Sequence, residues 1–169
     1  LMAGDRALAT YAWEEALGYF QRGLGAKNDQ DIDAEKAALL FGLARAQTHA
    51  LPRHRVNEAV RTVAPAFEYY VAAEDVPAAL AIAEYSFRSL GEDAEFPRLL
   101  TEALKLAPPG SIQAGRLLAR YGSASTLATG DFETTAGALD QALTIAQREA
   151  DTALERTVHN AMSIAHMML

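Results

Sequence analysis

The chain has no cysteine among its 169 residues. That excludes disulfides and thiolate metal sites and fits a reducing, cytoplasmic setting. It also lacks any uncharged apolar run approaching the ~18 residues of a membrane helix, and no charged-then-apolar leader opens it. No membrane partner is therefore expected. A basic excess is missing too. Fifteen Lys and Arg stand against 22 Asp and Glu, for a formal charge of −7. A phosphate-binding surface needs clustered cations, so no direct nucleic-acid partner is expected. Val, Ile and Thr are sparse, and no segment alternates with period two between hairpin signals.

What is present is alanine, roughly a fifth of the residues, in a chain that is half hydrophobic. This composition favours helices and suffices for a buried core. Polar breaks punctuate it: Gly25 to Asp33, Leu51 to Arg55 with Pro52, Glu74-Asp75 before Pro77, Gly91-Glu92-Asp93, Pro108-Pro109-Gly110-Ser111, Gly130-Asp131 and Ala150-Asp151. Between them the apolar spacing predicts nine helices, at 2–10, 12–25, 33–50, 55–73, 76–90, 94–107, 111–129, 132–149 and 151–168. Pro65, inside the fourth, should kink or interrupt it. The apolar end, Met167-Met168-Leu169, and the abrupt start suggest a piece of a larger multidomain protein, with residues 1–169 forming one repeat domain.

Four segments share one spacing. Ala16, Phe20 and Gly23 recur as Ala59, Val63 and Ala66, then as Phe96, Leu100 and Ala103, then as Thr135, Leu139 and Ala142. Each is an i, i+4, i+7 set ending on Gly or Ala, and the last positions step by 43, 37 and 39 residues. A small residue there lets a neighbouring helix approach to about 8–10 Å. The large residue before it fills the adjoining groove.

These residues resemble the tetratricopeptide repeat. Ala16, Phe20 and Gly23 fit its small–aromatic–small second helix. Gly130-Asp131-Phe132 fits its inter-helix turn, and Pro108 its closing proline. Leu43-Ala44 only approximates the first-helix Leu-Gly pair, and Phe96 and Thr135 replace a small residue. The period near 40, with "AGDRALATYAWEEALGYFQRGL" and "LLFGLARAQ", is similar to the repeat arms of large bacterial signal-transduction ATPases. Those include LuxR-type regulators of the maltose-regulator kind and cyclase-linked forms. The resemblance implies an all-α solenoid of stacked antiparallel helix pairs, a right-handed superhelix of about nine helices. It implies a sensor or partner-binding arm of a cytoplasmic signalling or transcriptional regulator, with ATP binding and output in other domains.

Catalytic and metal motifs are absent from the sequence. Glu14 and Glu15 are adjacent, so on a helix they point about 100° apart and cannot flank one glycosidic bond. They suit a solvated first turn that complements the helix dipole. Asp29-Gln30-Asp31-Ile32-Asp33 opens like a calcium loop. Ala34 stands where its glycine is required, however, and Leu40 where its closing glutamate is required. His159 and His166 lie without a carboxylate at ligand spacing. Gly23-x-Gly25 is no dinucleotide fingerprint. No enzyme activity, cofactor or metal is expected.

A surface remains. A repeat solenoid presents a concave face lined by the first helix of each pair. With Gly91 and Gly130 in register, that face carries Arg45 and His49, Tyr85 and Arg88, Arg120 and Tyr121, and His159, Asn160 and Ser163. Arg and Tyr are residues that anchor interfaces, and arginines on an acidic protein suit an acidic or phosphorylated peptide. Any one of these residues also suits plain packing. A protein or peptide partner is expected. A small-molecule inducer around Tyr85, Arg88 and Tyr121, or self-association through the apolar "AMSIAHMML" helix, are the alternatives. Trp13 is expected to brace its own turn.

Overall fold

Alanine-rich segments bounded by Asp, Ser, Pro and Gly do fold as helices. The computed structural model describes residues 1–27, 31–87, 94–129 and 132–167, the side chains of 127–129 excepted. All regular structure among them is helical: α1 (Met2–Ala9), α2 (Trp13–Gly25), α3 (Ala34–Ala50), a 3-10 turn (Arg53–Arg55), α4 (Asn57–Ala72), α5 (Val76–Glu84), α6 (Glu95–Leu106), α7 (Ile112–Thr129), α8 (Phe132–Arg148) and α9 (Thr152–Met167). They gather into two compact units, residues 1–90 and 91–169.

The stops and starts follow local chemistry. Leu51 is extended (φ −79°, ψ 144°) because Pro52 follows it, and α3 ends there. Ala107 does the same before Pro108. The turn Pro108–Ser111 closes by Ser111 N–H donating to the Pro108 carbonyl (3.1 Å). Gly110 in this turn has φ +71°, which glycine adopts without Cβ strain. Ser111 then caps α7, its Oγ accepting from Ala114 N–H. Asp33, Asp75 and Asp151 cap α3, α5 and α9 in the same way.

Three corners share one geometry. Tyr11, Glu74 and Ala150 have φ of 59°, 56° and 53°. The next residue in each corner donates back across six residues: Ala12 to Ala7, Asp75 to Tyr70 and Asp151 to Ala146, each at 2.9 Å. This is the Schellman end, made without glycine. It folds α1 onto α2, α4 onto α5, and α8 onto α9.

In the first unit, consecutive helices pack on one another. Its centre is Phe20, fully buried with Ala7, Leu8, Ala16, Leu39, Leu43 and Ala46. The ring fits because Gly4 of α1 and Gly42 of α3 carry no side chain. A Cβ on Gly4 would lie 2.6 Å from Phe20 Cζ, and one on Gly42 would overlap the ring further. In the second unit α7, α8 and α9 all touch, around Leu139, Ala142, Ala146, Leu154 and Val158. There Gly122 admits Leu139, whose Cδ2 a Cβ would meet at 2.7 Å. Of the four recurring triplets, all but Gly23 are buried: Ala16, Phe20, Ala59, Val63, Ala66, Phe96, Leu100, Ala103, Thr135, Leu139 and Ala142. Thr135 tolerates burial because its hydroxyl lies 3.4 Å from that of Thr126, which donates to the Gly122 carbonyl.

Two expectations need correction. The fifth helix does not run to residue 90; it ends at Glu84, and Tyr85 is extended (φ −69°, ψ 138°). The segment Tyr85-Ser86-Phe87 turns sharply, with Phe87 N–H donating to the Tyr85 carbonyl (2.9 Å), and Phe87 is buried. Tertiary packing of two rings overrides helical continuation there. Of the two outcomes expected at Pro65, a kink or an interruption, the interruption does not occur: α4 runs unbroken from Asn57 to Ala72. The expected turns at Gly91-Glu92-Asp93 and Gly130-Asp131 lie outside the described residues, as do Asp29, Gln30, Met168 and Leu169.

Candidate binding site

Helix α3 is buried on two sides, through Ala37, Ala44 and Thr48 on one and through Leu39, Gly42, Leu43 and Ala46 on the other. Phe41, Arg45 and His49 recur every four residues on a stripe that the core does not take, with Phe41 and Arg45 half-buried and His49 exposed. The ending of α5 supplies the partner of this stripe. Tyr85, freed from the helix, sets its ring edge-on to Phe41 (5.9 Å between centroids, 88° between planes). Its hydroxyl lies 3.1 Å from His49 Nε2. Phe87 packs against the same ring at 4.9 Å.

The other end of the stripe is covered by α2. Trp13, at the first position of that helix, stacks on His49 with centroids 4.2 Å apart and planes 20° from parallel. Tyr11, at the αL corner, meets Trp13 edge-on at 5.4 Å and is 76% exposed. His49 is thus held on one face by an indole and at Nε2 by a phenol. Arg45 lies beside this pair of rings, its guanidinium carbon 5.7 Å from the centroids of both Phe41 and Tyr85. Among the described residues no carboxylate pairs with it.

The structure therefore brings together Arg45, His49 and Tyr85, all within the first unit. It adds Trp13, Tyr11 and Phe41, which lie outside the face expected from the sequence. Trp13 does brace its turn through Tyr11, but its stacked partner is on α3, 36 residues away. A signal for this was present: the lone tryptophan, and the i, i+4, i+8 run Phe41–Arg45–His49. Arg88 lies outside the described residues. The remaining predicted residues belong to the second unit. Arg120 lies 6.0 Å over the Phe96 ring, and Tyr121 beside it is half-buried. On α9, His159, Asn160 and Ser163 are exposed. Contrary to the expectation of no carboxylate near it, His159 has Glu155 four residues earlier, with Nε2 3.9 Å from that carboxylate, and Ser163 Oγ donates to the His159 carbonyl (2.9 Å).

Among the described residues no three His, Asp or Glu side chains gather as a metal cluster, and no helix is long and apolar enough to cross a membrane. No family model, no curated protein and no solved structure matches the chain.

Proposed function

We propose that this chain is a non-catalytic protein-interaction or sensor arm. In this reading it is built of tetratricopeptide-like stacked antiparallel helix pairs and works within a larger cytoplasmic, ATPase-linked regulator. The observation that carries the binding role is the cluster that Trp13 of α2, half-buried at the edge of the core, and Tyr85 after α5 form with Arg45 and His49 of α3. Trp, Tyr and Arg are the residues most enriched at interface hot spots. Here they are fixed by one another, so little side-chain entropy is lost on binding. The repeat character draws support from Phe20 seated between glycines of α1 and α3, and from the full burial of Ala66, Ala103 and Ala142.

The test is site-specific photo-crosslinking in cells. A photoreactive residue at position 45 is expected to capture one discrete partner, and one at exposed Asp140 is expected not to capture it. Identical capture at both positions, or none at position 45, would overturn the reading.

A further inference from the structure

Resting on that reading, we infer that the Arg45 face takes a peptide carrying an Asp or Glu carboxylate with an apolar or aromatic side chain two residues away. Arg45 is the carboxylate anchor. Its guanidinium is backed by the Phe41 and Tyr85 rings at 5.7 Å each. Rings replace part of its hydration without neutralising its charge. The planar fork is thereby held and remains able to make two parallel N–H···O bonds to a carboxylate.

The charge context favours an anion. The chain carries −7 overall, and several of its other cations have acidic partners: Lys27 with Asp33 and Glu35, Arg55 with Glu58, Lys105 with Glu102, and Arg116 with Asp151. Arg45, half-buried, has none among the described residues. A half-buried cation on an acidic protein, held by rings and not by a carboxylate among the described residues, is complementary to an incoming acid.

The spacing of the peptide follows from that of the site. Arg45 and His49 are four residues apart on α3, so they lie about 6 Å apart along its axis. Alternate residues of an extended peptide lie on one face, about 6.5–7 Å apart. A carboxylate on Arg45 therefore sets the side chain two residues on over the Trp13–His49 stack. The 76% exposed ring of Tyr11 extends the apolar surface there. The expected signature is acidic–any–apolar, in either chain direction.

The experiment selects a displayed random 12-residue peptide library on the whole chain. Enriched sequences are then measured as synthetic peptides by the emission of Trp13, the only tryptophan. Enrichment of acidic–any–apolar sequences is expected. Binding should weaken about tenfold or more when the acid becomes its amide, as loss of a charge-assisted bond dictates. Arg45→Gln is expected to produce the same loss. Arg45→Lys, which keeps the charge and changes the surface least, should weaken binding severalfold while the melting temperature holds. Enriched peptides that ignore both the acid-to-amide change and the Arg45 variants would overturn the inference and leave the interaction reading standing. No enrichment of any peptide would overturn both.

Discussion

A single ring fixes much of the first unit. Phe20 is fully buried, which contributes about 1.5–3 kcal/mol from transfer alone, and it occupies volume that any side chain at position 4 or 42 would need. Gly42→Ala is expected to destabilise the protein by about 1–3 kcal/mol, the usual range for overpacking. Phe20→Leu in the same chain should recover part of that loss, because a smaller side chain gives room back to the new methyl. Urea denaturation of the two single variants and the double variant measures the coupling. Additive losses would show that ring and glycine do not share the space. The position of Phe20 was legible in the sequence as the middle of a small–large–small triplet. The glycines that receive it were not, since nothing local to Gly4 or Gly42 names a partner many residues away. The site was legible in the same partial way. Arg45 and His49 emerged from setting the repeated helix pairs in register, whereas the Trp13–His49 stack joins positions that no repeat relates.

At the level of elements, the corners carry the tension between sequence and structure. Tyr11, Glu74 and Ala150 occupy the left-handed region, where an L-residue with a Cβ is disfavoured by about 1–2 kcal/mol. Ala150→Gly keeps every hydrogen bond of the corner and removes that strain. It is expected to stabilise by about 1 kcal/mol, net of the extra freedom glycine gives the unfolded chain. The change should appear as a higher melting temperature by circular dichroism, and a fall would show that the corner is not strained. Ala150-Asp151 was readable as a break because aspartate is a strong cap. The end of α5 was not readable, because Tyr85-Ser86-Phe87 contains neither glycine nor proline and is apolar enough to continue a helix. The rings of Phe41, Tyr85 and Phe87, brought together by the fold, favour the break.

For the whole molecule, the acidic balance sets how stability responds to pH. Asp151 has a carboxyl held below the ordinary carboxylate value, first by the Leu154 backbone N–H and then by Arg116. Asp33 is lowered by Lys27 and by the Lys36 backbone N–H, and Glu58 by Arg55. Each group binds protons less readily folded than unfolded. Its contribution is therefore fully present above the unfolded value of about 4 and is lost as the pH falls through the folded value. Asp151→Asn retains a capping oxygen but cannot carry the charge. Its melting temperature should lie below that of the parent at neutral pH, and the gap should narrow as the pH falls below about 4. A gap constant across that range would deny Asp151 its electrostatic role. The two units each hold their own buried cluster, around Phe20 and around Leu139. That division was not visible in the sequence, where the punctuation between helices is much the same from end to end.

The glycine seats at Phe20 also bear on motion. A phenyl ring turns about its Cβ–Cγ bond only when its surroundings open, and interiors as dense as crystals open rarely. Phe20 has helix backbone on either side, at Gly4 and Gly42, in place of side chains that can swing away. Its half-turn therefore requires α1 and α3 to part together, and the exchange of its two ring edges becomes a clock for the breathing of the first unit.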